Sequence, residues 1–186
     1  MATLGIVEEI YWYPVKSMLG ESVRTAEFTG AGIAGDRVWA VRDEARGDFM
    51  TGKRVAALMG CTGRPAAEEG GVPEIELPTG DVFAADDPLA SKRLSVFLGR
   101  EVTLWPCDGA PAPSPPQGTP EETEAEWQVR MACPRCVMTT HGFADVPRDP
   151  TVMRRLVSEA GGDPGVYASV ERGGRVSVGD AVVAID

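Results

Sequence analysis

Gly30-Ala31-Gly32-Ile33-Ala34-Gly35-Asp36-Arg37-Val38-Trp39-Ala40-Val41-Arg42 joins a glycine-punctuated loop to a short β-branched and aromatic run. Three glycines in six residues ask for positive φ or close backbone approach rather than a spare linker. The run from Arg37 to Arg42 reads as a strand, with Val38, Ala40 and Arg42 on one face and Trp39 and Val41 on the other. Short strands between glycine-rich turns are the expectation this stretch sets for its neighbours.

Upstream, Leu4 to Tyr13 is a β-branched and aromatic run that reads as one strand. Pro14 closes it, and Pro14-Val15-Lys16-Ser17 is a fixed turn carrying a lysine. Glu21 to Phe28 reads as a second strand. Downstream, a turn rich in Asp and Gly leads to Phe49-Met50-Thr51-Gly52-Lys53-Arg54, and Val55, Leu58 and Met59 suit either a helical turn or a strand. Glu74 to Leu77 and Asp81 to Ala85 form hairpin-like pieces. A helix follows from Pro88 to Leu98, capped by Asp87 and ended by Gly99, then a strand from Glu101 to Pro106.

Residues 107 to 126 change character, with five prolines followed by four glutamates and no apolar payload. The reading is one domain over 1–186, with 108–126 as a flexible Pro/Glu-rich insertion loop. Trp127 to Ala132 returns to a strand pattern. Asp149-Pro150 opens a second helix to Ala160, with Met153, Leu156, Val157 and Ala160 on one face. Val166 to Val170 and Val176 to Ile185 are strands separated by glycine turns. Many short strands and few helices predict a mainly β protein, a closed or folded-over β-barrel with a few short helices.

Composition narrows the function classes. The chain has 186 residues, 43% of them hydrophobic and 25% charged, enough for a proper core. Its net charge of -10 argues against general nucleic-acid binding, which needs excess cations against phosphates. No apolar run reaches membrane-spanning length, and Glu8 and Glu9 stand where a signal peptide would be apolar. The expectation is a cytoplasmic protein bound to neither nucleic acid nor membrane, its four cysteines held as thiols.

Chemistry concentrates in Met131-Ala132-Cys133-Pro134-Arg135-Cys136-Val137-Met138-Thr139-Thr140-His141-Gly142, which holds two of those cysteines and the only histidine. A structural zinc site wants a second pair of ligands, and Cys61, Cys107 and His141 supply no such spacing. A dithiol redox centre wants a helix N-terminus at the first cysteine, whereas the residues after Cys136 read as strand or loop. Two inert buried cysteines remain open. So does one thiolate that ligates a soft metal or carries sulfur, helped by Arg135 and by converging cations at Lys16, Arg37, Lys53 or Arg54, and Arg130.

Tyr13-Pro14-Val15-Lys16-Ser17, Gly35-Asp36-Arg37-Val38-Trp39, Cys133-Pro134-Arg135-Cys136 with Thr139-Thr140, and Val178-Gly179-Asp180 occur in an order that resembles the molybdenum cofactor sulfurase C-terminal (MOSC) domain family, relatives of the amidoxime-reducing components. The resemblance implies a MOSC-type β-barrel with a pyranopterin molybdenum cofactor in a cleft. Cys136 falls on the metal ligand. Lys16, Ser17 and Arg37 fall on cofactor-holding positions, joined by Arg54 in the Thr51 to Arg54 turn and by Arg135 and Thr139 of the cysteine motif. The larger enzymatic relatives carry Arg-Phe-Arg-Pro-Asn before that motif. Here the proline and glutamate loop stands in its place, leaving Arg130 as the substitute.

Such proteins reduce N-hydroxylated small molecules with electrons from a partner protein, and His141 is the candidate proton donor. An alternative is a sulfur carrier with a persulfide on Cys136, Cys133 as its resolving thiol, and a sulfur donor or acceptor as partner. A third is a non-catalytic molybdenum cofactor-binding module.

Overall fold

The computed structural model describes residues 2–65, 71–107, 124–142 and 146–185, so most of the proline- and glutamate-rich loop (108–123) lies outside the described residues. Within them the chain is mainly β. The N-terminal part contains β1 (Ala2–Ile6), β2 (Ile10–Trp12), β3 (Glu21–Val23), β4 (Thr25–Thr29), β5 (Gly32–Ile33), β6 (Trp39–Asp43), β7 (Asp48–Phe49), β8 (Thr62–Arg64), β9 (Glu74–Glu76) and β10 (Val82–Ala84). Helix α1 (Ala90–Leu98) and β11 (Val102–Pro106) follow. After the loop come β12 (Glu126–Ala132), α2 (Thr151–Ala160), β13 (Val166–Arg172), β14 (Gly174–Ser177) and β15 (Ala181–Ala184). Two single-turn 3-10 helices, Ala56–Gly60 and Val137–Thr140, sit between them.

All the strand ladders are antiparallel and short: β10-β9-β8, β11-β6-β7, β14-β4-β5, β12-β13, β2-β3 and β1-β15. The last strands return to the first. Ala2 opposes Ala184 in β1-β15, and Ala26 opposes Val176 in β4-β14. The larger core is built from the N-terminal part, where Val15, Leu58, Cys61, Ile75 and Leu94 are fully buried. A smaller core joins Ile10 and Ala26 to Val176, so its apolar burial depends on residues far apart in sequence.

Both helices obey the stop and start signals read from sequence. Asp87 Oδ1 accepts the Leu89 N–H at 2.7 Å, and Gly99 ends α1 at φ 63°. Asp149 Oδ1 accepts the Thr151 N–H at 2.8 Å, and Gly161 ends α2 at φ 62°. The apolar face of α2 is half realised: Met153 and Leu156 are half-buried, while Val157 is 57% exposed.

Four local expectations are revised. The first two expected strands each break in two, at residues 7–9 and at Arg24, because their residues pair with different partners on either side of the break. Arg37 does not open a strand; it occupies a left-handed turn at φ 54°, and β6 begins at Trp39. Alternation also fails in β6, where Ala40 and Val41 are both 1% exposed. That is the signature of a strand covered on both faces. The residues after Cys136, read as strand or loop, form a 3-10 turn.

Candidate functional site

Residues 13–16 run beside 37–39. The Arg37 N–H donates to the Tyr13 carbonyl at 2.7 Å, the Trp39 N–H to Pro14 at 3.1 Å, and the Lys16 N–H to Trp39 at 2.8 Å. Asp36 Oδ1 clamps the join by accepting the Tyr13 N–H at 2.9 Å. At this join lie Ser17 (φ 68°) and Arg37 (φ 54°), the two non-glycine residues with positive φ among the described residues. Both were singled out from sequence. A left-handed backbone at a non-glycine residue costs on the order of 1 kcal/mol and persists only where its surroundings over-determine it, which happens most at binding sites.

Phe49 links two further sequence-predicted residues. The Lys16 ammonium lies over its ring, 6.0 Å from the centroid, and the Arg54 guanidinium donates to its carbonyl at 3.1 Å. The same Arg54 holds Asp48 at 2.8 Å and keeps that carboxyl below the usual carboxylate range. Asp43, Asp48, Arg46, Arg54 and Arg100 surround a cavity of about 110 Å³ beside Met50. Its carboxylates are already taken: Asp43, 4% exposed, accepts from Arg46 N–H at 3.1 Å and from Arg100 at 3.2 Å. This network braces the turn between β6 and β7.

The cysteine stretch meets this region through Gly52. A Cβ on Gly52 would lie 2.8 Å from Met138 Cε and 3.2 Å from Met59 Cγ, so the missing side chain admits Met138 against the Thr51 to Arg54 turn. Met138 belongs to the 3-10 turn that starts after Cys136. Cys136 precedes the turn in extended conformation, and its carbonyl accepts both the Thr139 N–H (3.1 Å) and the Thr139 hydroxyl (2.9 Å). Thr139 thus fixes the backbone that presents the Cys136 thiol. His141 closes the turn, and its Nε2 is buried with no hydrogen-bond partner among the described residues.

The cations divide into two kinds. Arg37, Arg54 and Arg130 are ion-paired with Asp36, Asp48 and Glu171, and Arg130 also donates to Ser169 at 2.7 Å on the open β12-β13 ladder. Arg37 stacks on the Tyr13 ring as well, 5.5 Å from its centroid. Lys16 and Arg135 have no carboxylate partner among the described residues. An unneutralised cation is the group that gains most from an anionic ligand.

Cys61, Cys133 and Cys136 are free thiols. Cys61 is fully buried and burial pushes its thiol up to about 12, which removes it as a nucleophile. Cys133 and Cys136 are half-buried. No cluster of three or more His, Cys, Asp or Glu among the described residues is placed to hold a metal ion. No helix among them is long and apolar enough to cross a membrane.

Tyr167 escaped the sequence reading. It stands opposite Met131 in β13, on the ladder face that Cys133 continues. Cys133 is the first cause of a phenol ionisation raised above the ordinary tyrosine value, with Arg135 opposing it and Cys136 adding to it. A lone tyrosine in a valine-rich strand carries no motif. The strand register alone brings it to the cysteines.

A pyranopterin group with a soft metal needs a thiolate, cations for its phosphate, and a backbone able to approach it closely. Cys136, Lys16 and Arg135 without a carboxylate partner among the described residues, and the left-handed turns at Ser17 and Arg37 are groups of the kinds it needs. The residues fit the group.

No curated protein matches the chain. Two family models do: the MOSC N-terminal beta barrel domain over residues 4–93 and the MOSC domain over residues 110–183. MOSC domains are associated with molybdenum cofactor binding. With both parts present in 186 residues, the chain belongs to the MOSC family as a compact member.

Proposed function

We propose that this protein binds the molybdenum cofactor and works as an oxidoreductase that reduces N-hydroxylated or related small molecules. One observation carries the reading. The turn after Cys136 packs through Met138 onto the Gly52 turn, while Lys16 and Arg54 approach Phe49 from the adjoining strand pair. These contacts support a reading in which a soft ligand on one segment and the Lys16 cation on another serve the same bound group.

Cys136 Sγ is the metal ligand, since thiolate suits a soft metal. Lys16 and Arg135 neutralise the anionic end, and the Ser17 turn offers its backbone and hydroxyl to the same group. Arg37 and Arg54 keep their carboxylate partners and shape the surrounding backbone. When bound, the cofactor supplies the two-electron chemistry and the open coordination position.

The overall reaction takes an N–OH group, two electrons and two protons to an N–H group and water. The electrons come from a partner protein. His141, whose Nε2 is buried with no hydrogen-bond partner among the described residues, is the group that holds one of the protons in this reading. Thr139 keeps the Cys136 backbone from shifting during turnover.

The test is elemental and pterin analysis of protein expressed in a host that makes the cofactor. Near-stoichiometric molybdenum that is lost in Cys136→Ser supports the reading. A protein that carries no molybdenum but labels at Cys136 as a persulfide would transfer the assignment to sulfur carriage.

A further inference from the structure

Gly52 is a glycine for want of space and not for backbone freedom. Its φ lies outside the left-handed region, so other residues could adopt its backbone. It is buried, and a Cβ there would stand 2.8 Å from Met138 Cε, 3.2 Å from Met59 Cγ and 3.3 Å from Met59 Sδ. Two methionines thus occupy the place a side chain would take. The floor of this seat is held by its own segment. Met59 is 8% exposed in the 3-10 helix Ala56–Gly60, and the Arg54 and Val55 N–H groups both donate to the Thr51 carbonyl, at 3.0 and 2.9 Å.

Met138 enters the seat from the other part of the chain. It is half-buried on the 3-10 turn Val137–Thr140, two residues after Cys136. That turn is stiff. Thr139 bonds the Cys136 carbonyl through both its N–H and its hydroxyl, the Thr140 hydroxyl donates to Val137 at 2.7 Å, and the His141 N–H donates to Met138 at 3.1 Å. Cys136 and Met138 therefore shift together, and where the methionine can seat sets where the cysteine stands. An unbranched thioether reaching into a gap of one missing Cβ is an adjustable contact, so its depth responds to a single methyl.

We propose that Gly52 and Met138 are positioning residues, a seat and a latch that fix the Cys136 thiol against the Thr51 to Arg54 turn. The inference rests on the reading of Cys136 as the functional thiolate and deepens it. It assigns the spacing between the cysteine segment and the cation-bearing turn to one contact made across the family boundary. Gly52→Ala needs no new backbone conformation, but its methyl drives Met138 Cε out of the seat. Met138→Leu keeps apolar bulk and ends one atom short of Cε, which leaves room for that methyl.

The experiment needs no cofactor. The full chain, purified from a host that lacks the cofactor, is treated with limiting iodoacetamide, and alkylation of Cys133 and Cys136 is followed site by site by mass spectrometry. Cys133, whose N–H donates to the Gly165 carbonyl at 2.8 Å beyond the β12-β13 ladder, is the internal reference. A general loss of stability speeds both thiols, so the ratio of Cys136 to Cys133 reads position. Gly52→Ala is expected to raise that ratio several-fold by freeing the half-buried Cys136. Combined with Met138→Leu, the ratio is expected to return to within about twofold of the wild type. A wild-type ratio in folded Gly52→Ala, or a Gly52→Ala effect equally large beside Leu at position 138, overturns the proposal. If Gly52→Ala does not fold, Met138→Ala withdraws the latch from the native seat, and an unchanged ratio there overturns it as well. Absence of molybdenum from protein made in a cofactor-competent host would sink the functional reading without touching these ratios, so the two failures are separable.

Discussion

Ser17 and Arg37 show at the scale of one residue what a left-handed turn costs. Each holds a left-handed backbone without glycine's freedom, and each adjoins the strand pair formed by residues 13–16 and 37–39. Ser17→Gly removes the hydroxyl yet suits φ 68°, so stability measured by urea midpoint is expected to hold or rise slightly. Ser17→Val puts a β-branched side chain at that φ and is expected to lose about 1–3 kcal/mol. Equal midpoints for the two variants would mean the turn is not left-handed in solution. Tyr167 gives a second residue-scale prediction. Its phenol is raised above the tyrosine value first by the interaction with Cys133 and then by that group's charge. A raised folded value means the contribution to stability is present below the ordinary tyrosine value near 10 and lost as pH climbs through the folded one. Tyr11 is raised as well, by Glu9, so absorbance titration of the phenolates should show a late-titrating component from both, of which the Tyr167 part moves down in Cys133→Ala. A profile identical in the two proteins would break the Cys133–Tyr167 contact.

At the scale of elements, α2 depends on one exposed carboxylate. Asp149 receives both the N–H and the hydroxyl of Thr151, and these bonds, with Arg155 and Arg154 nearby, lower its carboxyl below the usual range. A depressed carboxylate stabilises above its unfolded value and loses that contribution as pH falls through the folded one. The first turn of α2 should therefore lose amide-exchange protection below about pH 4. Asp149→Asn caps without titrating, and its protection should stay flat across the same range. This helix was legible from Asp149-Pro150 and Gly161-Gly162 because caps are local chemistry. So was the β9-β10 hairpin, where Ile75 opposes Phe83 as the alternating pattern asks. The 3-10 turn after Cys136 was legible only as strand or loop, because two threonines before a histidine and a glycine carry strand propensity. Thr139 and Thr140 override it by turning their hydroxyls back onto the carbonyls of Cys136 and Val137. The turns that carry Lys16, Ser17 and Arg54 were readable for the same local reason as the caps. The nearness of Tyr167 to the cysteine stretch was not, since it exists only in the β12-β13 register.

At the scale of the whole molecule, the return of the last strands to the first decides how the protein comes apart. The family boundaries separate residues 4–93 from 110–183, yet β14 hydrogen-bonds to β4 and β15 to β1. Val176, 6% exposed, shares a core with Ile10 and Ala26, so removing its methyls leaves a cavity in the N-terminal part as much as in its own. Val176→Ala is expected to cost about 2 kcal/mol from lost transfer energy plus residual cavity. Leu94→Ala, in the larger core at 0% exposure, should cost about 2–5 kcal/mol. If the shared ladders couple the two parts, both variants displace one common calorimetric transition to lower temperature, with calorimetric and van't Hoff enthalpies agreeing. Two transitions, with Val176→Ala moving one and Leu94→Ala moving the other, would show that the β4-β14 and β1-β15 ladders join parts that unfold independently. The first outcome matters for the site, because Lys16 and Arg54 lie on one side of that boundary and Cys136 on the other. The proposed cofactor-binding geometry then lasts only as long as the strands that close the chain.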